Sequence, residues 1–156
     1  MITADQLKSK IKDIVEQATL LKNKYITETS PVNYVCVFSQ NQNEYNELIN
    51  TAKQLGNIIK KTQTGPIFKI KPMQTISGKL QLIKIKLPDK TRPELGDVDF
   101  TIIEFYKDFK EKYLKLPQFK FIRKESYHMV ELADSKFNTR VYFSNPTLEQ
   151  IFRIAA

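Results

Sequence analysis

A chain of 156 residues has the length of about one domain and can bury a substantial core. Its 41% hydrophobic and 27% charged residues sit near globular averages, which excludes disorder over any long stretch. Lys and Arg number 25 against 17 Asp and Glu, a formal net charge of +8, yet the basic residues are interleaved with acids and never form a block. The charge is therefore read first as a solubilising surface, with a nucleic-acid or protein interaction module kept as an alternative.

The single cysteine, Cys36, has no partner for an internal disulfide. It lies in the apolar run Val35-Cys36-Val37-Phe38, where a buried thiol acts as a small hydrophobe. No apolar run reaches the roughly 18 residues of a membrane span. Asp5, Lys8 and Lys10 interrupt any signal-peptide core, so a cytoplasmic protein without a membrane partner is expected.

The first element is a helix from Thr3 to about Tyr25. Thr3 and Gln6 have capping-box spacing, and Leu7, Ile11, Ile14, Val15, Ala18 and Leu21 recur at three and four. Its apolar stripe serves either its own domain or an oligomer contact. Ser30 and Pro31 break the pattern before a strand over Val32 to Ser39. A helix over Asn43 to Leu55 follows, stopped by Gly56 in an expected left-handed conformation. Strands are predicted over Asn57 to Gln63, Ile67 to Met73 and Leu80 to Leu87, with turns at Thr64-Gly65-Pro66 and Ser77-Gly78.

Pro88 to Gly96 suits an extended crossing, after which the pattern restarts. Asp97 to Ile103 reads as a strand, and Phe105, Phe109, Tyr113 and Leu116 mark a helix face ended by Pro117. Phe119 to Arg123, Tyr127 to Leu132 and Arg140 to Ser144 supply three strands. Asn145 as a cap with Pro146 at the first helical position predicts a short tail helix through Leu148, Ile151 and Ile154. The expected organisation is a single domain over 1–156: a helical extension over 1–30, a first strand-helix-three-strand module over 31–88, and a second over 97–156 with the tail helix.

Two such modules in succession resemble the glyoxalase fold of the vicinal oxygen chelate superfamily, and within it the YecM-type bacterial proteins, over about Thr3 to Ile154. The resemblance rests on element order and spacing. It implies an α+β protein, two βαβββ modules forming a curved mixed sheet around a cleft. It also implies metal-ligand positions at Tyr34, at Lys84 or Lys86, at Asp99, and at Arg140 or Tyr142. Lysine and arginine offer a metal no lone pair, so no cofactor is expected. A divalent ion stays open, with Asp99 and Glu131 as candidate donors.

Strand alternation sorts the side chains by face. Lys84 and Lys86 oppose Ile83, Ile85 and Leu87; Asp97, Asp99 and Thr101 oppose Val98, Phe100 and Ile102; Arg140, Tyr142 and Ser144 oppose Val141 and Phe143. If the polar faces line a cleft, it holds Tyr34, Lys84, Lys86, Asp99, Thr101, Glu131, Arg140 and Tyr142, a mixed-charge pocket for a small anionic or zwitterionic ligand. The same alternation also suits strands that simply face solvent. His128, the single histidine, shares parity with Val130 and Leu132 and is read as a core-edge imidazole. Asp97 and Asp99 share a face and could meet a cation, although a turn-capping role suits Asp97 equally.

The chain has no Walker loop, dinucleotide-binding glycine loop, nucleophile elbow or His-Glu-Xaa-Xaa-His helix. The expected function is binding of a small anionic organic ligand by a monomer or homodimer, leaning away from enzyme activity. Alternatives are a divergent metal-dependent lyase, isomerase or dioxygenase, and the basic interaction module.

Overall fold

The computed structural model describes residues 1–154; the last two residues of the expected second module lie outside that range. Its elements are α1 (Ala4–Tyr25), β1 (Val32–Phe38), α2 (Gln42–Leu55), β2 (Gly56–Thr62), β3 (Gly65–Thr75) and β4 (Gly78–Lys86), then β5 (Gly96–Phe100), α3 (Tyr106–Tyr113), β6 (Phe119–Arg123), β7 (His128–Leu132), β8 (Thr139–Asn145) and α4 (Leu148–Ile151). All eight strands join one open mixed sheet in the order β2-β3-β4-β1-β5-β8-β7-β6.

The order has an internal correspondence. The first half contributes β2-β3-β4-β1, with β1 parallel to β4; the second contributes β5-β8-β7-β6, with β5 parallel to β8. The halves meet where β1 runs antiparallel to β5, pairing Tyr34 with Asp99, Val35 with Val98 and Cys36 with Asp97.

One face of the sheet is covered by helices. The capping box at the start of α1 forms as the sequence predicts: Gln6 N donates to Thr3 Oγ1 at 3.1 Å and Thr3 N to Gln6 Oε1 at 2.9 Å. Leu7, Ile11, Ile14, Val15, Ala18 and Leu21 are fully buried where α1 crosses β1, β5 and β8 and meets α2. The stripe therefore serves the chain's own core, at roughly 1.5–3 kcal/mol for each large aliphatic side chain. From the sheet come Val35, Val37, Ile83, Ile85, Val98, Phe100, Val141 and Phe143, all fully buried. Phe109 of α3 packs on Phe143 with ring centroids 4.8 Å apart.

Three local expectations are corrected. Gly56 does cap α2, but at φ 179° it is extended and opens β2. Glycine suits the position because a Cβ would overlap the carbonyl oxygen of Lys69 on the paired strand. The strand expected to run to Ile103 stops at Phe100, where Thr101 N turns to donate to Pro31 O at 2.8 Å. The tail helix is capped by Thr147, whose hydroxyl accepts from Gln150 N, and not by Asn145; Pro146 follows a cis peptide and precedes the cap. Among the described residues no helix is long and apolar enough to cross a membrane.

Candidate functional site

The face of the sheet opposite α1 carries a cavity of about 360 Å³ over the junction of the two halves. Its base is set by register. Lys84, Cys36, Asp97 and Arg140 are successive cross-strand partners on β4, β1, β5 and β8, forming one row of side chains. A second row runs Tyr34, Asp99, Tyr142 and Glu131 over β1, β5, β8 and β7. Because side chains alternate along a strand, the residues between these rows (Val35, Val98, Val141) point into the core, and the same alternation that fills the core supplies the polar floor.

Of the side chains expected in a cleft, Tyr34, Lys84, Lys86, Asp99 and Tyr142 line this cavity. Glu131 and Arg140 stand beside it as a supporting network. Glu131 accepts from Tyr142 Oη at 2.8 Å and from Arg140 Nη1 at 3.4 Å, while Arg140 Nε donates to Glu94 Oε2 at 3.0 Å. The guanidinium that could fork a ligand carboxylate is thus occupied by two carboxylates of the protein. Thr101 lies past the end of β5, its hydroxyl accepting from Asn33 Nδ2 at 3.0 Å. His128 sits at the core edge with its ring against Phe121, centroids 5.5 Å apart.

The cavity also gathers residues that sequence reasoning missed: Cys36, Phe38, Asp89, Arg92, Lys124, Tyr127, Met129, Ser144 and Leu148. Cys36 is a free, buried thiol as its apolar run predicts, and it also shares the cavity face with Tyr34 and Phe38. Its parity with Tyr34 was the available signal, obscured by an apolar run that looks buried on both sides. Asp89 and Arg92 come from the crossing between the halves and Lys124 from the β6–β7 connection, where no periodicity assigns a face; Tyr127, expected to open the strand that begins at His128, shares parity with Met129 and Glu131.

The electrostatics are mixed. Four cationic side chains line the walls: Lys84, Lys86, Arg92 and Lys124. Lys84 Nζ donates to the neutral Thr64 hydroxyl at 2.6 Å, and Lys86 Nζ pairs with Asp89 at 3.0 Å. Arg92 reaches Tyr142 Oη at 3.4 Å. Burial pushes the carboxyls of Asp97 and Asp99 up to about 7, against the pull of Lys84, Arg92 and Lys86 on Asp97 and of Ser144 hydrogen bonds on Asp99. Burial likewise drives the Tyr34 hydroxyl and the Cys36 thiol well above their usual ranges. Near neutrality the cavity therefore has more positive than negative charge.

The metal positions implied by the glyoxalase resemblance do not fit a divalent ion. Lys84 and Lys86 present ammonium groups. Asp99 Oδ1 already accepts from Ser144 N at 3.0 Å and Ser144 Oγ at 2.8 Å, and Glu131 is engaged by Tyr142 and Arg140. Among the described residues no group of three or more His, Cys, Asp or Glu comes together. What the arrangement offers is ammonium and guanidinium donors around a polar floor, which suits anions.

Comparison of the chain with protein-family models, with curated proteins and with solved structures finds no match.

Proposed function

We propose that this chain is a cytoplasmic protein of glyoxalase-like architecture whose cleft binds a small anionic organic ligand. The architectural part is supported by the repeated strand-helix-three-strand order and by the matching β2-β3-β4-β1 and β5-β8-β7-β6 halves. An experimental structure lacking a pseudo-twofold relation between these halves would remove that part. The relation to the vicinal oxygen chelate superfamily, and to YecM-type proteins within it, is proposed on the same order of elements.

The binding part is carried by one observation: Lys84, Lys86, Arg92 and Lys124 converge on a cavity built over the central strands. Ammonium groups in a partly desolvated cleft attract anions more strongly than the same groups in water. Lys84 has a neutral hydrogen-bond partner, the Thr64 hydroxyl, and no described carboxylate in ion-pair contact. Tyr34, Tyr127 and Tyr142 add hydroxyls and ring surface, and Phe38, Met129 and Leu148 add apolar wall, a lining suited to an organic ion.

The test is a thermal-shift titration with inorganic phosphate and short carboxylates, which stabilise the folded state by mass action if they bind it. The midpoint rises with anion concentration in the wild type. It stays flat in the Lys84→Met, Lys86→Met double variant, whose apolar replacements keep the lysine stems. An equal response in both proteins would reject the cleft as the anion site.

A further inference from the structure

Asp97 stands apart from the other acids around the cavity. Asp89 accepts from Lys86 Nζ and from Thr91, Asp99 from Ser144, Glu131 from Tyr142 and Arg140, and Glu94 from Arg140. Asp97 accepts no hydrogen bond from any described residue, although it lies at the centre of the floor between Cys36 and Arg140 in the cross-strand row. Asp97 is half-buried, and a partly desolvated carboxyl with open lone pairs gains from a ligand group that donates to it. The protein supplies cations nearby but no donor in contact.

Resting on the reading of this cavity as an anion site, we propose that its ligand is bifunctional: a carboxylate or phosphate held by Lys84 and Lys86, and a few bonds away an amine or hydroxyl that donates to Asp97. The spacing suits such a molecule. Lys84 and Asp97 flank Cys36 on the two neighbouring strands, and two strand spacings put their Cα atoms roughly 10 Å apart. Lys84 Nζ is held at the Thr64 hydroxyl in the β2–β3 turn, and a short carbon chain spans the cavity from there toward Asp97. Cys36 between them, with its thiol kept protonated by burial, gives that chain a compact uncharged surface to cross. A half-buried carboxyl that no described residue donates to favours a ligand that supplies the donor over one that lacks it.

The experiment is calorimetric titration of the full chain at constant ionic strength with two matched series. One is γ-aminobutyrate, γ-hydroxybutyrate and butyrate; the other is phosphoethanolamine, ethylene glycol monophosphate and ethyl phosphate. The donor-bearing members bind at least about tenfold tighter than the member without a donor, and Asp97→Ala brings that ratio within each series to about twofold or less. Asp97→Asn, which keeps the side-chain shape, serves as the second variant should the alanine protein fail to fold, and it loses the preference for the amine. The amine and hydroxyl members distinguish an amino-acid-like from a hydroxy-acid-like ligand.

Equal affinity of all members of a series overturns this inference and leaves the anion site standing. So does a donor preference that survives both Asp97 variants. Failure of all six compounds to bind at millimolar concentration overturns the inference together with the anion site.

Discussion

Cys36 and Asp97 are direct cross-strand partners at the junction of the two halves, a thiol beside a carboxyl, with Lys84 flanking the thiol on its other side. Burial and the neighbouring carboxylate both disfavour the thiolate, and Lys84 only partly offsets them. Cys36 therefore alkylates slowly. At pH 8 the folded protein reacts with iodoacetamide at least about tenfold more slowly than the urea-unfolded chain, because the thiolate is the reacting form. Asp97→Asn speeds the reaction by relieving the repulsion. Mass spectrometry of time points measures both rates, and a folded-state rate equal to the unfolded one would contradict this account of the site.

The raised carboxyls make stability depend on pH in a particular direction. Asp97 and Asp99 titrate near 7 when folded, against an ordinary value of 3.8, so the folded state holds protons that the unfolded chain has released. Their contribution is complete below about pH 4 and is lost as pH rises through 7. Asp89 and Asp134 act oppositely. Thr91 and Lys86 donate to Asp89, and Tyr25, Lys136 and Lys24 to Asp134, holding both carboxyls below the usual range. Their contribution disappears as acid protonates them.

The melting temperature should accordingly peak on the acid side of neutrality and fall between pH 6 and 8. Asp97→Asn flattens that fall and raises the melting temperature at pH 8 by a few degrees, given about 2–4 °C per kcal/mol for a chain of this size. Scanning calorimetry at matched ionic strength decides it. A wild type that is more stable at pH 8 than at pH 6, with the variant following the same curve, would mean that the floor carboxyls ionise at no cost.

Most of the architecture was legible because the chain states it in period. Ile83 and Ile85 against Lys84 and Lys86, or Val141 and Phe143 against Tyr142 and Ser144, announce both the strands and the two faces of the sheet. The three-and-four recurrence from Leu7 to Leu21 announces α1. The site was legible only where it is carried by strands: Tyr34, Lys84, Lys86, Asp99 and Tyr142 follow from alternation. Arg92, Asp89 and Lys124 reach the cavity from irregular connections, and their positions depend on how the two halves meet. Arg140 and Glu131 share parity with the strand-borne set, but alternation does not reveal that each is absorbed by a protein partner.

Gly65 links the edge hairpin to the cavity wall. Its φ of +140° disfavours any L side chain, and a Cβ there would overlap the carbonyl oxygen of Ile85. The preceding Thr64 receives Lys84 Nζ and, through its carbonyl, Leu87 N at 2.8 Å. Gly65→Ala should cost at least roughly 1–3 kcal/mol from backbone strain alone and displace the Thr64 hydroxyl from Lys84. Urea unfolding reads the first effect; weakened phosphate binding reads the second. An alanine protein with unchanged unfolding midpoint and unchanged phosphate affinity would show that the turn accommodates a side chain without disturbing the wall.

Tyr142 and Glu131 define how firmly the second row is fixed. The tyrosine lines the cavity while its hydroxyl donates to a carboxylate that is only 9% exposed. Removing the acid leaves Tyr142 Oη and one arm of Arg140 without their shared acceptor, whereas removing the hydroxyl leaves Glu131 with Arg140. The costs are therefore unequal: Glu131→Ala about 3 kcal/mol, Tyr142→Phe about 1 kcal/mol. The two changes act on one hydrogen-bond network, so the double variant should lose less than the sum of the singles. Equilibrium urea unfolding of all four proteins completes the cycle. Strict additivity would mean that the two side chains are energetically independent, and the ring would then be held by packing alone.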